Sequence, residues 1–319
     1  MPRRAAATSV AYDPTIANIM MTLSGIAYVG EDSGQLSQIK TNIIAELATL
    51  GYATKRQWGL VWGPVIFKGT DNLIYVVRQG VSTYAIVMRG TVPDFASAWE
   101  DIPTSQADFS VHSGAGAMVS APFLNALAGM VAQREKPSKL TLLQFLLNTI
   151  AKTPGATIYV TGHSQGGGLA PMMLGWLTRA AKTWKARLIG YSFAGPTSGN
   201  PAFAQWIDNN ATLFRVVNPL DVVPYGYAAI GDIIPNNIPT KVTNPGDKLC
   251  LDETLWTIGQ MLYWFVGAWA QPSSQQTLSA KPAPARLNLL DQVGQQHHIN
   301  SYLYLLGAPQ LGFAPKSLL

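Results

Sequence analysis

Apolar residues recur along this 319-residue chain in two rhythms, and their alternation predicts a layered α/β protein. Ile16, Ile19, Met20 and Leu23 fall at helical spacing and predict a helix over 14–28, with a second over 33–50. Three strand-like runs follow at 61–68, 73–79 and 83–88, separated by glycine-containing turns, which suits an antiparallel start to a sheet. Helical patterns at 114–133 and 140–153 then lead into the β-branched run beginning at Thr157, and beyond residue 165 come a helix, a strand at 188–193, a helix at 202–209 and a strand at 212–217. Strands that alternate with helices are joined by crossovers, so the later part of the sheet should be parallel, with helices on both faces. No internal repeat interrupts this order, and one domain over 1–319 is expected, carrying an inserted apolar segment. That insertion, lid-like in composition, spans about 225–290 and contains six prolines together with the aromatic stretch Trp256, Tyr263, Trp264, Phe265 and Trp269. It reads either as a platform that meets acyl chains or as a helix packed on the core, and 273–284 reads as a flexible connector.

The densest chemistry lies at Gly162-His163-Ser164-Gln165-Gly166, where a strand enters a G-x-S-x-G pentapeptide and a helix leaves it. A serine raised on so tight a turn needs small residues two positions before and after it, because side chains there would collide with neighbouring backbone. Gly162 and Gly166 provide that room. The helix that follows brings its N-terminal amides, with that of Gln165 first, beside Ser164, where a tetrahedral intermediate would carry negative charge. Ser164 is therefore the candidate nucleophile.

Four histidines, His112, His163, His297 and His298, compete for the role of base. His163 is inside the elbow and cannot reach round to the serine proton, and His112 precedes the elbow, whereas α/β-hydrolases order their triad serine, acid, histidine. His297 and His298 remain. The orienting carboxylate must lie between them and Ser164, among Asp208, Asp221, Asp232, Asp247, Asp252, Glu253 and Asp291. Asp221 stands out because it sits in the turn that ends the strand at 212–217, and active sites of open α/β sheets assemble at carboxyl ends of strands.

These residues lie in a chain that resembles the class 3 lipases, an α/β-hydrolase family. Ala85-Ile86-Val87-Met88-Arg89-Gly90-Thr91 is similar to the family's strand and R-G-[ST] oxyanion loop, with Trp99 and Asp101 at its W-x-D positions. Val111-His112-Ser113-Gly114 resembles V-H-x-G, and Phe193-Ala194-Gly195-Pro196 with Gly199-Asn200 and Phe203-Ala204 resembles F-G-x-P…G-N…F-A. Asn218-Pro219-Leu220-Asp221-Val222-Val223-Pro224 matches N-x-x-D-x-V-P. The resemblance implies the α/β-hydrolase fold, Asp221 as triad acid, and an oxyanion hole made by the amides of Thr91 and Gln165 with the Thr91 hydroxyl. The family often places a tyrosine five residues after its histidine, so Tyr302 selects His297, with His298 as the alternate base. Two features depart from the common pattern: Gln165 stands where a leucine is usual, and the family's lid, near 92–99 here, is short and less apolar.

Composition narrows the partners. Hydrophobic residues make up 48% and charged residues 12%, apolar for a water-soluble chain and suited to transient contact with a lipid interface. The net charge of +5 is scattered, with no basic run interleaved with aromatics, so nucleic acid is not an expected partner. The single cysteine, Cys250, excludes an intramolecular disulfide. No H-E-x-x-H or clustered Cys/His appears, and neither metal nor other cofactor is expected. The N-terminus lacks a continuous apolar signal core, and the longest apolar stretch, 255–270, is shorter than a spanning helix. The expectation is a soluble protein, cytoplasmic or exported without a cleaved signal, of undetermined oligomeric state. Its expected activity is serine hydrolysis of lipid or small esters, as triacylglycerol lipase or carboxylesterase. The alternatives are a phospholipase or acyltransferase with the same triad and, more remotely, a non-catalytic lipid-binding protein.

Overall fold

The computed structural model describes residues 10–30, 34–90, 105–232, 253, 256, 267–284 and 287–319. In chain order the elements are α1 (Pro14–Ile26), α2 (Leu36–Leu47), β1 (Trp58–Phe67), β2 (Asn72–Gln79), β3 (Thr83–Arg89), β4 (Gln106–Asp108), α3 (Ser110–Ser113), β5 (Met118–Ser120), α4 (Ala121–Ala132), α5 (Leu142–Thr149), β6 (Thr157–His163), α6 (Gln165–Thr183), β7 (Arg187–Phe193), α7 (Pro201–Asn210), β8 (Thr212–Val217), β9 (Gln275–Thr277), α8 (Leu289–His297) and α9 (Ile299–Leu305). Seven strands form one sheet in the order β1-β2-β3-β6-β7-β8-β9. The first three are antiparallel, and from β3 onward every pairing is parallel, as the change from hairpin turns to helical crossovers predicts.

Period-2 alternation in the central strands builds two cores. Ile74, Val76, Ile86, Met88, Ile158 and Val160 join a cluster with α4, α5, α6 and α7 on one face, for example through Phe123, Leu146, Leu174 and Phe203. Tyr75, Val77, Ala85 and Val87 turn the other way, into a cluster with α1, α2 and α9 through Met20, Ile43 and Tyr302. Each fully buried large aliphatic side chain contributes ~1.5–3 kcal/mol, and helices are needed on both faces because both faces are apolar. This is the α/β-hydrolase arrangement expected from the sequence.

Two local expectations need correction. The helix predicted over 114–133 begins only at Ala121, because Gly114 and Gly116 adopt positive φ and Met118–Ser120 pairs with Gln106–Asp108 in a small separate sheet. The connector predicted over 273–284 contains β9, which pairs parallel with β8 through Arg215↔Gln275, Val216↔Gln276 and Val217↔Thr277. An edge strand can be polar, since its pairing rests on main-chain hydrogen bonds and its side chains need no core.

Level strand ends position the site. Arg89 pairs with His163, His163 with Phe193, and Phe193 with Val216, so β3, β6, β7 and β8 deliver their following loops to one edge. Of the apolar insertion, Trp269 is buried and stacked on Tyr227 with ring centroids 4.5 Å apart, while Trp256 is exposed. The rest of the aromatic stretch, Thr91, the lid positions 92–99, Asp101 and Cys250 lie outside the described residues. Among the described residues no helix is long and apolar enough to cross a membrane.

Candidate active site

Ser164 is the N-cap of α6 and has φ +59°, ψ −131°, a strained conformation for a residue with a Cβ. The strain is held in place by close backbone approaches. A Cβ on Gly162 would run into the Gly166 backbone and the Met88 carbonyl, one on Gly166 into the same Met88 carbonyl, and one on Gly167 into the Phe193 carbonyl. Main-chain bonds from Ser164 N to Phe193 O, 3.0 Å, and from Gly168 N to Ser164 O, 3.1 Å, complete the elbow. The serine hydroxyl is thereby lifted away from β6 at the N-terminus of a 19-residue helix.

His297, the last residue of α8, places Nε2 2.9 Å from Ser164 Oγ and Nδ1 2.9 Å from Asp221 Oδ2. Asp221 is fully buried in the turn after β8. Its Oδ1 accepts from Val223 N at 3.0 Å, and its Oδ2 also accepts from Tyr302 Oη at 2.8 Å. Burial first, and then the Asp221 charge, push the Tyr302 phenol well above its ordinary value, so it stays a neutral donor. Asn218 ties this turn to the histidine segment: its N donates to Tyr302 Oη, 3.1 Å, and its side-chain nitrogen to Gln296 O and Oε1, 3.0 and 2.8 Å. A neutral imidazole that donates from Nδ1 to the carboxylate presents Nε2 as an acceptor to the serine hydroxyl.

Asp247 and Asp252 lie outside the described residues, and the other described candidates fall elsewhere. His298 caps α9, with Nδ1 accepting from Asn300 N at 3.2 Å, and burial followed by the charge of His297 lowers its pKa. It is not joined to Asp221 or Ser164. His112 packs on Phe109 with ring centroids 4.7 Å apart. Asp208, in α7, accepts from Ser273 N, Asp291 lies in the first turn of α8, and Glu253 is exposed. Gln165 opens α6, and Gly90 lies against it, since a Cβ at Gly90 would stand 3.1 Å from Gln165 N. The backbone entering residue 91 thus passes beside the amide that would face an oxyanion.

His163 has a place that the motif did not announce. Its Nε2 lies 2.9 Å from the carbonyl oxygen of His297, and its ring packs on the His297 ring at 4.7 Å. A carbonyl only accepts, so Nε2 carries the proton, and Nδ1 is buried without a partner. Burial first, then the neighbouring charge of His297, hold its pKa well below the ordinary histidine value. The unfolded imidazole takes up a proton below about pH 6.5 while the folded one stays neutral, so stability is complete above that pH and declines as acid favours the unfolded chain. Denaturant unfolding at pH 7.5 and 5.5 should show a loss from this residue of roughly 1 kcal/mol, and His163→Gln should have a shallower pH dependence. Equal slopes for the two proteins would contradict the assignment.

Residues 85–229 match the family model for lipases of class 3. Lipases of Rhizopus niveus and Rhizopus oryzae are each 29% identical over 159 residues, which is 49% of this chain and 38% of theirs. The match thus spans well under half the length of these relatives. Among solved structures, M37 lipase superposes with a TM-score of 0.76 at 23% identity, covering 93% of this chain and 94% of that one. The lipase from Rhizopus microsporus var. chinensis gives 0.51 at 22% identity, over 70% of this chain and 73% of its own. At such identities these structures speak for the shared fold.

Proposed function

Because residues 85–229 match the family model for lipases of class 3, we propose that the chain is a serine hydrolase of lipid esters working through an acyl-enzyme. Ser164 attacks the ester carbonyl while His297 takes its proton; His297 then returns that proton to the leaving alcohol. The alcohol departs, and the acyl group remains on Ser164 Oγ. Water, deprotonated by the same imidazole, attacks the acyl-enzyme, and as the bond to Ser164 Oγ breaks the imidazolium returns the proton to that oxygen, releasing the carboxylic acid and the free serine. Asp221, held by Val223 N and Tyr302 Oη, fixes the imidazole tautomer and stabilises the imidazolium. The Gln165 amide, with Thr91 as its partner, stabilises the oxyanion.

The observation that carries this reading is the unbroken hydrogen-bonded chain Ser164–His297–Asp221 on a strained elbow. The curated relatives are named lipases, which supports a lipid ester as substrate. A p-nitrophenyl ester series from acetate to palmitate, run on purified protein, tests it. Saturable hydrolysis is expected, with a clear dependence of kcat/KM on acyl chain length. No turnover above the buffer rate at any chain length would remove the reading.

A further inference from the structure

We infer that Asn72 is a positioning residue for the oxyanion side of the site, acting through an amide clamp that joins the end of β3 to the first residue of α6. The inference rests on the proposed roles of Ser164 and of the Gln165 amide. Asn72 is fully buried at the start of β2. Its Nδ2 donates to Arg89 O at 3.0 Å and to Gln165 Oε1 at 2.8 Å. The first bond fixes the orientation of both amides: the Arg89 carbonyl only accepts, so the atom facing it is Asn72 nitrogen, and the Gln165 atom on that nitrogen must be oxygen.

One nitrogen therefore holds two groups that matter separately. The Arg89 carbonyl belongs to the peptide that leads into Gly90 and the oxyanion loop. Gln165 is the residue whose main-chain amide faces the developing charge, and Gly90 is packed directly against it. A leucine at position 165 could not accept the bond, so the clamp depends on the polar residue that this chain carries after its nucleophile. Oxyanion donors act only when they lie about 2.7–3.1 Å from the tetrahedral oxygen, and a small drift between two peptides weakens the transition state while leaving substrate binding in place.

The test uses the full chain and p-nitrophenyl butyrate, with Asn72→Ala, Gln165→Leu and the double variant. Asn72→Ala should lower kcat on the order of tenfold and Gln165→Leu several-fold, each with KM within about twofold. The double variant should lose no more than the worse single one, because both break the same contact. Affinity for an alkylboronic acid, whose tetrahedral adduct reads the same donors, should fall in parallel with kcat, while KM stays near its wild-type value. Wild-type kcat in Asn72→Ala, additive losses, or unchanged boronic acid affinity would each overturn the inference. Should Asn72→Ala not fold, Gln165→Leu decides alone, and wild-type kcat there overturns the clamp. A wild-type chain inert toward every ester removes the underlying reading and the inference with it, whereas an active enzyme indifferent to these substitutions removes the inference only.

Discussion

Replacing Ser164 with alanine should lower kcat for ester hydrolysis by a factor on the order of 10⁴ or more and leave the fold unchanged. The size of the effect follows from chemistry: without the hydroxyl no acyl-enzyme forms, and what remains is the small acceleration from binding and oxyanion donors. The fold should survive because the elbow is held by main-chain bonds at Ser164 N and O and by the glycines around it, while among the described residues the side chain bonds to His297 Nε2. Alanine keeps the Cβ that the backbone already accommodates at φ +59°. Thermal unfolding of the variant should match wild type within a few degrees. Turnover above a tenth of wild type would sink the nucleophile assignment.

The second large effect separates two adjacent histidines. His297→Ala should cost a factor on the order of 10⁴, and Asp221→Asn should approach it, because an amide facing Nδ1 favours the tautomer that cannot accept the serine proton. His298→Ala should cost less than tenfold in kcat, since its ring caps α9 and makes no bond to Ser164 or Asp221. Its price is in stability, about 1 kcal/mol for a lost N-cap. Kinetics of the three variants beside denaturant unfolding would resolve these roles. An inactive His298→Ala with an active His297→Ala would contradict the geometry of the C-terminal segment.

Much of this site was legible in local sequence. The elbow announces itself because the backbone crowding around Ser164 tolerates little beyond glycine at 162 and 166, and the strand alternation at 73–77 and 84–88 predicts a sheet covered on both faces. Asp221 was legible as a carboxylate at a strand end, but choosing His297 over His298 needed the Tyr302 spacing, which the structure explains: Tyr302 and His297 meet on the same Asp221 oxygen. What escaped depends on distant partners or on polar edges. The bond from Asn72 to Gln165 spans 93 residues, that from His163 to His297 spans 134, and that from Asn218 to Gln296 spans 78, so no periodicity announces them. Gln275-Gln276-Thr277 is too polar to read as a strand, and its pairing appears only because β8 offers an open edge.

Covalent trapping tests the central claim most directly. Purified protein incubated with a p-nitrophenyl alkylphosphonate, which a serine nucleophile attacks to give a stable phosphonyl ester, would be examined by intact mass and peptide mapping. The account predicts one adduct per chain, on Ser164, forming in step with loss of esterase activity and absent from Ser164→Ala. An adduct on another residue, or full loss of activity with Ser164 unmodified, would contradict it.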